Sequence, residues 1–127
     1  MKSMNKVLLV GRLGADPEEK VTLNGKRLAK FPLAIHRWQK NDAPSDTKNQ
    51  SDGGFTEKTE WHRIVCWGKS ADRALEHVRK GQAVFVEGQL RKKEFKGKDD
   101  TLKSVYEVHV NDLRILTSRS ELAPISA

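Results

Sequence analysis

Trp61-His62-Arg63-Ile64-Val65-Cys66-Trp67 leads through Gly68 and Lys69 into Ser70-Ala71-Asp72-Arg73-Ala74-Leu75-Glu76-His77-Val78-Arg79-Lys80. The apolar period changes at this junction, from two to nearly four. Strand side chains alternate between faces, so Trp61, Arg63, Val65 and Trp67 share one face and His62, Ile64 and Cys66 the other. One face reads as core; the other carries two large rings with an arginine between them. Beyond the junction Ala71, Ala74, Leu75 and Val78 recur at helical spacing. Ser70 is placed to cap a helix over residues 70–80, Asp72 suits its first turn, Arg79 and Lys80 suit its last, and Gly81 can close it.

No other segment has the helical period. Residues 5–12 hold Val7-Leu8-Leu9-Val10 and read as a first strand, covered on both faces, which Gly14-Ala15-Asp16-Pro17 breaks. Asn24-Gly25 marks a tight turn between short extended pieces. Residues 28–38 read as a second strand with Phe31, Leu33 and Ile35 on one face. Pro32 lies on the other face and has no N–H, so this strand is expected at an edge or at a bulge. Residues 55–67 are the third strand and 83–90 the fourth. Residues 91–103 read as a charged hairpin tip around Gly97, and 104–116 as a fifth strand, or two joined at Asn111-Asp112. One short helix between the third and fourth of five strands predicts an all-β fold, the five-stranded Greek-key barrel of the OB type. A ferredoxin-like fold needs two helices, and a sandwich usually has more strands and none.

The 127 residues predict one domain over 1–116, with a long mobile loop over 39–58 that is too polar to pack and a short flexible tail over 117–127. Cys66 is the only cysteine, so an intramolecular disulfide is impossible and a reducing compartment is expected. No apolar run is long enough for a membrane helix or a signal peptide, so no membrane partner is expected.

Lys and Arg number 24 against 17 Asp and Glu, a net charge of +7, which points to an anionic partner. The large rings sit among the cations, in His36-Arg37-Trp38-Gln39-Lys40, Glu60-Trp61-His62-Arg63, Cys66-Trp67-Gly68-Lys69 and Arg91-Lys92-Lys93-Glu94-Phe95-Lys96. Flat rings beside positive charge suit unpaired bases on a phosphate backbone, because rings stack on bases and cations meet phosphates. The segment from Arg91 to Lys98 holds five cations and one acid around Phe95, a basic finger able to wrap a strand. Catalysis finds little support. His36, His62, His77 and His109 show no metal spacing, the glutamates make no acid–base pair, Cys66 faces inward, and the glycines form no phosphate-cradling loop. No cofactor or metal is expected.

These segments together resemble the bacterial and mitochondrial single-stranded DNA-binding protein family. The resemblance is carried by residues 5–18, by Thr59-Glu60-Trp61-His62-Arg63-Ile64-Val65, by Arg79-Lys80-Gly81 and by Val86-Glu87-Gly88-Gln89-Leu90, in the family's order from about residue 5 to 116. It implies a homotetramer, a dimer of dimers, with single-stranded DNA wrapped over it in replication, recombination and repair. By position it makes Trp38, Trp61, Trp67 and Phe95 the stacking residues. Lys6, Arg63, Lys69, Arg91 and Lys93 become the backbone-contacting cations. It also implies that the first strand, with Val7 and Leu9, pairs protomers and that His62 lies near a subunit interface. The implied location is the bacterial cytoplasm beside the nucleoid, or the mitochondrial matrix after removal of a presequence. Bacterial members end in a Gly/Pro/Gln-rich linker and an acidic tip; this chain ends Ser120-Glu121-Leu122-Ala123-Pro124-Ile125-Ser126-Ala127, so recruitment of replication and repair proteins through such a tip is not expected.

Overall fold

Every apolar run described above enters one sheet. The structure, a computed structural model, describes residues 1–40 and 54–117. The elements are β1 (Val7–Leu13), β2 (Glu18–Val21), β3 (Arg27–Lys40), β4 (Phe55–Trp67), α1 (Gly68–His77), β5 (Ala83–Lys96) and β6 (Leu102–Ile115). The strands run in the order β1-β5-β6-β4-β3-β2, and β1 returns to pair with β3 through Arg12↔Ala34 and Leu13↔Leu33. That pairing closes a barrel of β1, β5, β6, β4 and β3, with β2 attached outside the ring along β3. Among the described residues the only parallel pairing is β4 with β6, at Ile64↔Val108 and Val65↔His109. Inside lie Phe31, Leu33, Ile64, Val84, Val86, Val108 and Leu113, and α1 adds Ala71 and Ala74 to the same cluster.

The barrel and, among the described residues, its one helix are as expected, but several details differ. The extended pieces around Asn24-Gly25 form the hairpin β2–β3, so the helix falls between β4 and β5. The helix starts at Gly68, where a φ of 57° turns the chain straight out of β4. Trp67 therefore holds the N-cap position, no side chain caps the helix, and Ser70 and Asp72 lie too far along to serve its first amides. Asp72 instead meets Arg27, Nη2 to Oδ1 at 2.7 Å. The helix stops at His77, and Arg79, just beyond it, donates Nη1–H to the carbonyls of Leu75 and Val78.

Pro32 is inside the sheet, not at its edge. It lies between the part of β3 that pairs with β2, ending at Lys30, and the part that pairs with β1, starting at Leu33. Its carbonyl accepts the Gly14 N–H at 3.0 Å. The nitrogen of a strand residue points the same way as its carbonyl, so the missing donor faces the gap between β2 and β1.

Residues 91–96 and 102–103 are not turn residues. The β5–β6 ladder continues to Lys96↔Leu102, leaving only residues 97–101 to turn. Charged side chains exposed on both faces of a protruding hairpin meet water and do not oppose the ladder. At Asn111-Asp112 the strand does not break. Glu87 faces Asp112 while Gly88 faces Val110, so Asn111 is the extra residue of a β-bulge. The loop expected over 39–58 is shorter at both ends, since β3 reaches Lys40 and β4 begins at Phe55. Its centre, residues 41–53, and nearly all of the expected tail lie outside the described residues.

Candidate nucleic-acid interface

Strand register brings side chains from four strands onto one outer face. Along β3 and β4 the pairs of this parity are Leu28↔Trp67, Lys30↔Val65, Pro32↔Arg63, Ala34↔Trp61 and Trp38↔Glu57, of which Leu28, Ala34 and Val65 are themselves buried. Along β5 and β6 they are Gln89↔His109, Arg91↔Glu107, Lys93↔Val105 and Phe95↔Lys103. The parallel pair Val65↔His109 joins the two halves.

The face is hollowed in three places that run into one another. A hollow of about 490 Å³ is lined by Phe31, Pro32, Ile64, Phe95 and Val105, with Lys20, Lys30, Arg63, Lys93, Glu18 and Glu107 around them. A second, of about 420 Å³, shares Lys30, Lys93 and Glu107 with it and continues to Trp67, Arg91 and His109. A third, of about 560 Å³, shares Trp67, Arg91 and His109 and ends at Thr22, Asn24, Lys26 and Asn111. The result is a groove with apolar and aromatic walls and cations along its length.

Charges in the groove are crowded. Lys30 bonds Glu107, Nζ to Oε2 at 3.2 Å. Burial alone would raise the Glu107 carboxyl, but the bonds and charges of Lys30, His109 and Lys93 outweigh it and hold the group below its usual range. The Lys93 ammonium is pushed down, chiefly by the positive charge of Lys30. Two ammonium groups held this close suit an anion such as a phosphate between them.

Of the residues expected from sequence, Trp67, Phe95, Arg63, Arg91 and Lys93 line this groove. Trp61 and Trp38 stand farther along the same β3–β4 face, 59% and 65% exposed. Lys69 is not in the groove; it lies on α1 beside Asp72, Arg73, Glu76 and His77. Lys6 is not there either. Its ammonium is paired with Glu87 at 2.8 Å, and that bond raises its pKa. Lys20, Lys26, Lys30, Glu107 and His109 were missed, because their membership depends on cross-strand neighbours and not on any local pattern.

The two residues expected at the first-strand interface point the other way. Val7 and Leu9 pack against the core, whereas Leu8 and Val10 face out, 59% and 57% exposed. Within one protomer the first strand is thus covered on one face only. His62 is half-buried, on the core-side parity expected of it, opposite Leu33. Cys66 is fully buried, and burial pushes its thiol up to about 12, which leaves no thiolate for chemistry.

The sequence matches the Single-strand binding protein family over residues 4–116, which takes in all six strands and the helix. The chain belongs to that family. Among curated relatives, the single-stranded DNA-binding protein of Neisseria meningitidis serogroup A is 35% identical over 119 residues, covering 94% of this chain and 63% of its own length. That of Xanthomonas axonopodis pv. citri is 38% identical over 120 residues, covering 94% of this chain and 62% of its own. Single-stranded DNA-binding protein 1 of Chlorobaculum tepidum is 35% identical and covered to 68%. The chain therefore spans about two thirds or less of the length of these relatives. Among solved structures, a Plasmodium falciparum SSB complex with ssDNA superposes with a TM-score of 0.75 at 30% identity, over 92% of this chain and 98% of that one. The barrel is an OB-fold of this family.

Proposed function

We propose that the chain binds single-stranded DNA without regard to base sequence, as a protective coat during replication, recombination and repair, and catalyses nothing. The observation that carries this reading is the continuity of the groove. Phe95 and Trp67 offer flat faces along one path, and Lys20, Lys30, Arg63, Lys93, Arg91 and Lys26 line it with positive charge. Stacking contributes about 1–3 kcal/mol per base and accepts any base, since each has a flat face. Trp61 and Trp38 extend the path along the β3–β4 face, and Lys69 and Lys6 are peripheral contacts at most. The relatives' names and the DNA-bound neighbour support the same ligand. Binding only the open strand, the protein melts hairpins by mass action.

The free edge of β1 supports assembly into a homotetramer. One edge of this strand pairs with β5 from Val7 to Arg12, but on the other only Arg12 and Leu13 pair with β3, so among the described residues the remaining edge is unpaired. Leu8 and Val10 stand outward beside it, with Phe85 opposite Val10. An unpaired edge with an apolar flank is a template for a second copy of the same strand, and the resulting apolar sheet face can take a second dimer.

Fluorescence anisotropy of a labelled oligo(dT), competed with duplex DNA and with RNA of equal length, tests the ligand. Preference for single-stranded DNA is expected, and equal competition by the duplex overturns the reading.

A further inference from the structure

The indole Nε1–H of Trp67 donates to Nδ1 of His109 at 3.0 Å, with the two rings 6.0 Å apart and 30° from parallel. An indole nitrogen can only donate, so Nδ1 accepts and the neutral ring carries its proton on Nε2. Nε2 faces Oε1 of Glu107 at 3.3 Å, and the other carboxylate oxygen holds Lys30 at 3.2 Å. Four side chains from β4, β6 and β3 thus form one chain of bonds, and Glu107, at its centre, is only 8% exposed. We propose that His109 is a positioning residue for DNA binding, fixing Trp67 as a stacking platform, with Glu107 and Lys30 fixing His109 in turn.

The inference rests on reading the groove as the DNA path. A half-buried indole can rotate about two side-chain bonds, and stacking on a base requires one orientation. A ring already held there loses less freedom when the strand arrives. The bond has a second consequence. With Nε1–H engaged inside the protein, Trp67 offers the strand its flat face and not a hydrogen-bond donor, so its contact does not discriminate among bases. The neighbouring Gln89 side chain is likewise engaged, accepting from Arg91 Nη2 at 3.1 Å.

Two amide substitutions separate positioning from mere polarity. His109→Asn places an acceptor near Nδ1, whereas His109→Gln places its amide near Nε2, out of reach of Trp67. Affinity for oligo(dT) is measured at fixed salt with a thermal melt of each variant, in the wild-type and Trp67→Phe backgrounds. Loss of one aligned bond corresponds to a change of about threefold to tenfold. The expected result is that His109→Asn binds within about twofold of wild type, His109→Gln binds threefold to tenfold more weakly at a similar melting temperature, and the difference vanishes with Trp67→Phe. Equal affinities for the two amides, or the same difference in both backgrounds, overturn the proposal while leaving DNA binding intact. Failure of the wild type to bind oligo(dT) overturns the reading of the groove itself and this inference with it.

Discussion

The six-membered ring of Trp61 lies over the α-carbon of Gly14, so close that a β-carbon there would collide with Cζ3 and Cη2 of the indole. The same glycine donates its N–H to the Pro32 carbonyl at 3.0 Å, which anchors the turn after β1 to β3. The turn is thus a shelf for a ring that stays 59% exposed. Gly14→Val is expected to displace the indole, lower stability by about 1–3 kcal/mol and weaken binding to oligo(dT). Urea unfolding followed by tryptophan emission reads the first effect, and anisotropy the second. An unshifted spectrum with unchanged affinity would mean that the shelf does nothing for the ring.

Lys93 is held near Lys30, whose charge is the largest influence pushing its ammonium down. A phosphate would relieve that crowding. Lys93→Gln is therefore expected to leave the free protein as stable or more so, while reducing the slope of log affinity against log salt by about 0.7, the contribution of one single-strand phosphate contact. A lower melting temperature with an unchanged slope would place Lys93 outside the DNA path.

The pattern of the sequence made the barrel legible because its information is local. Ile64 and Cys66 alternate with Arg63 and Trp67, and Ala71, Ala74 and Val78 repeat at helical spacing, so strand, helix and core could each be read within a dozen residues. Trp67, Phe95, Arg63, Arg91 and Lys93 were legible because rings and cations lie next to one another in the chain. Lys30, Glu107 and His109 were not. They meet only because β3, β4 and β6 are neighbours in a particular register, and no single strand reveals it. Which of residues 7–10 turn inward was not legible, because four apolar residues in a row give no parity; barrel closure at Arg12 and Leu13 decides it. Ser70 was misread because the positive φ of Gly68 starts the helix before any capping residue is reached.

Acid should act through Glu107. Its folded carboxyl is held below the usual 4.5, so the carboxylate contributes stability that is present above that value and lost as pH falls through the lower, folded value. At pH 7 Glu107→Gln is expected to be less stable than wild type by about 1.5–3 kcal/mol, the range for hydrogen bonds to a charged group. The gap should close on acidification below the ordinary carboxylate range. Denaturant titrations of both proteins at pH 7 and pH 3 check this, and a gap that stays constant or widens in acid would contradict it.

Assembly should depend on the outward side chains of β1 and not the inward ones. Val10→Glu places a charge beside the unpaired edge, where a second strand would have to bury it. Sedimentation equilibrium should show a smaller species than wild type with an unaltered circular dichroism spectrum. A variant that sediments as the wild type does would remove β1 from the interface.

The central claim, that exposed rings on a basic face stack on bases, is tested most directly by titrating intrinsic tryptophan fluorescence with poly(dT) at two salt concentrations. The account predicts strong saturable quenching of Trp38, Trp61 and Trp67, with weaker affinity at the higher salt and a further loss in Trp61→Ala. Emission that stays unquenched while anisotropy shows the DNA bound, or affinity indifferent to both salt and Trp61→Ala, would contradict it.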